Sequence, residues 1–501
     1  MRSVTPDTIK YADALCSEKY GIDSLTLMRS ASSAAFEQIR PKLSGSSVIT
    51  VLCGKGNNAG DGYCICSLLK QGWYDVNAVN VFDFVPVTSD AAAVYNEYKA
   101  SGGRILTGDK AKERIEKSDV IIDAIFGIGF HGEIDRNSEC ANIIEQCNAL
   151  TAYKIAVDTP SGINSADGTV SGIAFCADFT VTMALYKTGM LSYPARGFCG
   201  EIKVCDIGYP KELLSEIEYD ALIPDDNYLA SVLPKRNSNS SKGSFGTLSL
   251  YCGSENMTGA AFLCASGALR TGVGLVRLCS DERTIRTLQA RLSEPIFFPV
   301  DVSSQAELYS LAEVCSKSSA ALIGCGLGQA EETKKAVLHL VKNAETQLII
   351  DADGINALCG NINVLKEAKL PPMLTPHPGE FARLISSDVR TVQSDRINLA
   401  KKFARDFRCI LVLKGASTVI CSPDGLLAVN PTGNPGLSKG GSGDVLAGMC
   451  ASFAAQKISA FDSAVLSVYL HGKAGDVLRE EISEYGFLPS EIPLAAAKLL
   501  P

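Results

Sequence analysis

A chain of 501 residues is longer than one ordinary hydrophobic core supports, so two domains, or three, are expected. Its hydrophobic fraction of 46% excludes the disordered class. Lys+Arg of 47 against Asp+Glu of 55 leaves −8 with no basic tract, which argues against nucleic acid as the main partner.

The start, Met1 to Ile22, is polar and charged and carries no apolar targeting core. No stretch approaches the ~18 apolar residues of a membrane span. A soluble cytoplasmic protein is expected. None of the 18 cysteines forms a C-x-x-C pair, so the spacing offers no zinc site and reduced thiols are expected. His131, His339, His377 and His471 are scattered without ligand spacing.

In chain order, helical patterns come first, near 5–19 and 24–40. Apolar strands follow at 47–53, 76–81, 120–124, 154–157, 179–183 and 201–205, alternating with amphipathic segments. The pattern loosens from Pro210 to Ser244, where PKRNSNSSKGS (Pro234 to Ser244) has the composition of a linker. A second alternation has strands near 246–252, 274–279, 320–323, 347–350, 409–413 and 418–421. Strands spaced by helices predict two α/β domains built on parallel sheets.

Three strand ends in the first half carry polar groups. CGKGNNAGDG (Cys53 to Gly62) puts glycines after a strand, where the backbone can approach a phosphate and a helix N-terminus can meet the anion. A lone GxGxxA is a weak signal that more often marks a plain strand-to-helix turn. Asn57, Asn58 and Asp61 add oxygen ligands, suited to a cation or to ribose hydroxyls. IIDAIFGIGFHGE (Ile121 to Glu133) ends its strand in Asp123, and AVDTPSGIN (Ala156 to Asn164) ends its own in Asp158. Each aspartate alone reads equally as a helix cap. Ligands of open parallel sheets bind at the carboxyl ends of strands, so the three ends are expected to converge.

In that order, GKGNNAGDG, DAIFGIGFHGE and DTPSGIN resemble the NAD(P)H-hydrate epimerase family over about residues 1–210. The resemblance implies an N-terminal Rossmann-like three-layer domain over residues 1–215 whose bound dinucleotide is the substrate, hydrated NADH or NADPH (NADHX, NADPHX). It implies substrate contacts at Asn57, Asn58, Ala59, Gly60 and Asp61, and at Gly127, Ile128, Gly129, Phe130, His131, Gly132 and Glu133. It further implies potassium at Asn58, Asp123 and Ser161, with Asp158 catalytic and facing the nicotinamide ring. The chain departs from the family in reading RSAS at Arg29 to Ser32, Ala59 for a glycine, and Tyr186-Lys187-Thr188-Gly189 for Pro-Lys-x-Gly. Alanine at position 59 would be strained if that glycine sits at positive φ.

The second half holds longer motifs. In NPTGNPGLSKGGSGDVLAG, the turn Gly440 to Asp444 precedes a helical run of small apolar residues, a geometry that makes an anion hole from backbone amides. Asp444 fits an N-cap or a base beside developing negative charge. His377 in LTPHPGEFARL fits a ligand contact or a turn cap, and Lys414 in VLKGASTVI fits a ligand loop or a hairpin tip. IGCGLGQ and DADGIN end two more strands in glycines and carboxylates.

Together with SKGSFGTLSLYCGSENMTGAA (Ser241 to Ala261), these motifs resemble a ribokinase-like three-layer domain, the ADP/ATP-dependent NAD(P)H-hydrate dehydratase, over about residues 235–500. The resemblance implies a domain over residues 225–501 with substrate contacts at Ala260, Gly328, His377 and Asp444. It also implies nucleotide contacts at Lys414, Gly415, Ala416, Ser417, Thr418 and Gly443, with Mg²⁺ accompanying ADP or ATP. Asp444 would deprotonate the hydrate's hydroxyl for phosphoryl transfer, and phosphate would then leave. Ser241-Lys242-Gly243 stands for His-Lys-Gly, and Cys325 for the proline of Gly-Pro-Gly-Leu-Gly. The families imply a homo-oligomer. The same residues leave open a vitamin-precursor kinase for the second domain, and a binding role for the first, as in related RNA-decapping and lipoprotein-binding proteins.

Overall fold

The computed structural model describes residues 1–501 and divides into two compact units, Arg2–Ala221 and Leu222–Pro501 with Met1. The division falls within the loosened stretch, ahead of its most polar part. No helix is long and apolar enough to cross a membrane.

In the first unit, β1 (Val48–Cys53), β2 (Asp75–Asn80), β3 (Ile105–Leu106), β4 (Val120–Ala124), β5 (Tyr153–Val157), β6 (Phe179–Met183) and β7 (Glu201–Cys205) form a 7-stranded sheet. Its order is β3-β2-β1-β4-β5-β6-β7, parallel throughout. Side chains alternate between faces with the strand period of two. Ile49, Val51 and Cys53 pack in one core with helices α1 (Pro6–Tyr20), α2 (Ser24–Ile39) and α3 (Asn57–Gln71). Leu52 and Ile121 pack in another, against Ala111 and Ile115 and the segment Cys140 to Cys147. These are the three layers of a doubly wound domain. Strand order reverses between β1 and β4, and the motif-bearing ends of both strands lie at that switch point.

In the second unit the strands are β8 (Thr247–Tyr251), β9 (Leu275–Ser280), β10 (Ile296–Pro299), β11 (Ala320–Ile323), β12 (Gln347–Ile350), β13 (Met373–Leu374), β14 (Ile410–Leu413), β15 (Val419–Cys421) and β16 (Leu427–Val429). They run in the order β10-β9-β8-β11-β12-β13-β14-β15-β16. All pairs are parallel except the antiparallel β14–β15 and β15–β16. One face packs against α4 (Thr258–Arg270), α5 (Ser442–Ala455) and α6 (Ala460–Glu481). Helices α4 and α5 approach backbone to backbone, because a Cβ on Gly448 would lie 2.0 Å from the Cys264 carbonyl oxygen, and one on Gly267 2.4 Å from that of Val445.

All 18 cysteines are free. Cys53, Cys264 and Cys450 are buried among apolar side chains, as their sequence surroundings predict.

Candidate active sites

The first site lies at the carboxyl ends of β1, β4 and β5. The Gly-Asn stretch is helical beyond Gly56, because α3 begins at Asn57, which is exposed, while Asn58, Ala59, Gly60 and Asp61 are buried in its first two turns. Gly54 lets the chain leaving β1 pass close to the chain leaving β4, since a Cβ there would lie 2.0 Å from the Ile125 carbonyl oxygen. Ala59 sits within the helix and not among the positive-φ residues, so the strain expected of alanine at this place does not arise.

Neither Asp123 nor Asp158 caps a helix. The fully buried Asp123 carboxylate accepts from Ser161 N (2.7 Å), Ser161 Oγ (2.7 Å) and Ile125 N (3.1 Å), which ties β4 to the loop after β5. Burial pushes its pKa up to about 6, against the pull of the Ser161 hydrogen bonds. Asn58 donates to the Val157 carbonyl at 3.3 Å, while its Oδ1 is buried with no hydrogen-bond partner.

Asp158 is held at φ +67° and is 7% exposed. Its Oδ1 accepts from Lys187 Nζ at 2.5 Å, and its Oδ2 accepts from Ile128 N at 3.3 Å. Gly127 lies between this carboxylate and Asn58, as a Cβ there would stand 3.2 Å from each. From Gly127 and Ile128, half-buried, the segment runs outward through Gly129 and Phe130 to exposed His131, Gly132 and Glu133. Asn58, Gly127, Ile128 and Asp158 are thus brought together, whereas His131 and Glu133 lie at the rim.

Sequence reasoning missed Lys187 as a site residue, although the Tyr-Lys-Thr-Gly motif pointed to its place. Its ammonium is buried and fully used, donating also to Thr182 Oγ1 (2.9 Å) and the Met183 carbonyl (2.8 Å). The strand Tyr186–Lys187 that carries it pairs in parallel with Arg2–Val4. The altered helix α2 also contributes: Ser32 donates to Asp61 at 2.8 Å. Burial pushes Asp61 up to about 8, opposed by that hydrogen bond and reinforced by the carboxylates of Asp158 and Asp13.

The second site centres on the start of α5. Gly441, at φ +99°, is its N-cap and offers no side-chain cap, so Asp444 is not the cap but stands in the first turn, as the third residue. Burial, then repulsion from Asp351, pushes Asp444 up to about 6. Asp351, at the end of β12, accepts at Oδ1 from Lys414 Nζ (2.8 Å) and Thr375 Oγ1 (2.7 Å). Its Oδ2 faces the Cys325 thiol at 3.7 Å. Burial opposes the charge on Lys414, but Asp351 and Glu380 outweigh it and raise its pKa. The ammonium reaches toward the glycine turn, 3.2 Å from where a Cβ on Gly443 would lie.

Lys414 to Thr418 connect antiparallel β14 and β15, with Gly415 at φ +135° and Ser417 at φ +52°. Buried Arg396 braces them by donating to the Leu413 and Lys414 carbonyls at 2.9 and 3.2 Å. His377 is a cap: its Nδ1 accepts from Gly379 N (3.0 Å) and Glu380 N (3.3 Å), while Glu380 accepts from His377 N (2.8 Å). Its side chain remains 51% exposed. Gly328, at φ +77°, donates to Asp353 at 2.8 Å, and Ala260 packs close to Gly326. His471 was passed over in the sequence as one of four scattered histidines. Its Nε2 lies 3.1 Å from the Ser442 carbonyl, and burial pushes its pKa down to about 4, so the neutral ring donates there and fixes the first turn of α5.

Comparison with known proteins follows the same division. Residues 24–189 match the YjeF-related protein N-terminus family, and residues 248–495 match the NAD(P)H-hydrate dehydratase family. The chain is 34% identical over 490 residues to the bifunctional NAD(P)H-hydrate repair enzyme Nnr of Moorella thermoacetica, covering 95% of this chain and 92% of that one. Its likeness to the enzyme of the same name from Escherichia coli K12 is 32% over 493 residues, covering 97% and 93%. A ribokinase-like superfamily protein from Enterococcus faecalis matches 56% of this chain and 94% of its own at 27% identity, with a TM-score of 0.50.

Proposed function

This chain belongs to the bifunctional NAD(P)H-hydrate repair enzymes, and we propose that its two sites divide the work on one damaged dinucleotide. Residues 1–215 interconvert the R and S forms of hydrated NAD(P)H. Residues 225–501 dehydrate the S form with ADP or ATP as phosphoryl donor. The observation that carries the reading is Asp444: a carboxylate near pKa 6, beside Lys414, at a helix start whose N-cap is glycine.

At that site Asp444 takes the proton of the hydrate's ring hydroxyl as its oxygen attacks the terminal phosphoryl group. Lys414 offsets the charge on the transferring phosphate, and backbone N–H groups at the start of α5 meet its oxygens. Magnesium carried on the nucleotide's phosphates would neutralise charge there. The ring C–O bond then breaks with phosphate as leaving group, a neighbouring ring proton is lost, and the reduced nicotinamide is restored. Gly415 to Thr418 line the nucleotide. Ala260, Gly328 and His377 border the substrate, His377 with its exposed ring edge.

In the first site Asp158 gives a proton to the ring hydroxyl as its C–O bond breaks and water leaves, and takes one back from the water that returns to the opposite face, with Lys187 balancing its charge. Asn57 to Asp61 and Gly127 to Glu133 flank the dinucleotide. A potassium ion fits the oxygen donors Asn58, Asp123 and Ser161, because Asn58 Oδ1 is buried without a partner. Such an ion supplies fixed positive charge that orders the two loops. The reading extends to a self-associating cytoplasmic enzyme.

The test follows phosphorus. With S-NADHX, ADP and Mg²⁺, the account expects inorganic phosphate released in step with reduced nicotinamide absorbance. A stable phosphorylated product would favour a small-molecule kinase instead.

A further inference from the structure

Cys325, Asp351 and Asp444 come from three separate elements: the turn after β11, the end of β12, and the first turn of α5. The Sγ and one carboxylate oxygen from each aspartate lie within 4.8 Å of one another. Gly324 (φ +129°) and Gly326 (φ +66°) flank Cys325 and fix its direction, and the thiol is fully buried. The Cys264 and Cys252 thiols are buried in the same core as Cys325. Asp351 Oδ1 is taken by Lys414 and Thr375, whereas Oδ2 faces the thiol.

Among these groups two carboxylates face one ammonium, leaving one negative charge in excess when both are ionised. A divalent cation that displaces the thiol proton to solvent would bring thiolate, carboxylates, ammonium and metal to neutrality. The donor set is mixed, and that selects the ion. Magnesium and calcium take oxygen ligands, while a thiolate with two carboxylate oxygens suits a borderline-soft ion. Tetrahedral zinc places its ligand atoms about 3.5 Å apart. The thiol–Asp351 distance of 3.7 Å is already close to that. Asp444, which is not fully buried, leaves the fourth position open toward solvent.

We propose that Cys325, Asp351 and Asp444 form a site for a borderline-soft divalent cation of the Zn²⁺ class, whose occupancy shuts the dehydratase by engaging Asp444. The inhibitory half rests on the reading of Asp444 as the base; the binding half does not.

Cobalt(II) tests the binding half on the full chain without nucleotide. A thiolate-to-cobalt absorption band near one equivalent is expected, absent from Cys325→Ser and from Cys325→Ala, with circular dichroism showing both variants folded. No band in the native protein, or an equal band in a folded variant, overturns the site. Zinc then tests inhibition at fixed Mg²⁺: the concentration for half-inhibition should rise at least about tenfold in the same variants. Equal zinc sensitivity in the variants overturns the inhibitory assignment. A cobalt band with dehydration unaffected by zinc upholds the metal site and overturns the inhibitory assignment.

Discussion

At Asp444, burial and the Asp351 carboxylate hold the pKa near neutrality, up to about 6. A base must be ionised to take a proton, so dehydratase kcat/KM in the free enzyme should fall as pH drops through about 6, up to tenfold per pH unit below it. Asp444→Asn removes the base and should lower kcat by about 10²–10⁴-fold, read from the recovery of reduced-nicotinamide absorbance. In the first domain the buried pair Lys187–Asp158 is exposed by only 1% and 10% at its side chains. Lys187→Met would leave a carboxylate buried without its cation and should destabilise that domain by about 3–5 kcal/mol, measured by denaturant unfolding. Asp123, Asp158 and Asp444 were legible because each follows an apolar strand or a glycine-rich turn. Lys187 and His471 were not. A buried lysine or histidine acquires its role from partners distant in sequence, such as Asp158 or Ser442.

Among the elements, apolar or alternating runs of four or five residues announced themselves: strands Val120–Ala124, Phe179–Met183, Glu201–Cys205, Ala320–Ile323 and Gln347–Ile350 lie where the alternation placed them. Ile105–Leu106 and Met373–Leu374 are two residues long and give no periodicity to read. Ile296–Pro299 is an outer strand with an exposed isoleucine and a proline, and Leu427–Val429 is recruited by pairing with Val419–Cys421. Asn57 to Asp61 open helix α3, as a glycine turn feeding a helix start leads one to expect, and Gly60 and Gly62 let it pack close against Met28 and Ala124. The crossing of α4 and α5 positions Asp444 by the same means. Gly448→Ala puts a methyl group against the Cys264 carbonyl oxygen. It should cost about 1–3 kcal/mol, seen as a lower Tm, and slow dehydration more than epimerisation.

For the whole molecule, composition and alternation announced two α/β domains, and the order of motifs announced two sites. The unit division at Ala221/Leu222 was less legible, because the most polar segment, Pro234 to Ser244, belongs to the second unit. Polarity marks solvent exposure, whereas a boundary is a loss of contacts, and the two need not coincide. Two sites on one substrate make a claim that neither makes alone: each epimer of the damaged dinucleotide is consumed, one directly and one by way of the other. The measurement that tests this most directly is the time course of reduced-nicotinamide recovery from mixed-epimer NADHX with ADP, Mg²⁺ and K⁺, for the native chain and for Asp158→Asn. The account predicts complete recovery by the native chain. For the variant it predicts a rapid phase that stops with the R epimer left, apart from slow spontaneous epimerisation. Equal, complete and rapid recovery by both proteins would contradict the role given to Asp158, and no recovery by the native chain would contradict the repair function itself.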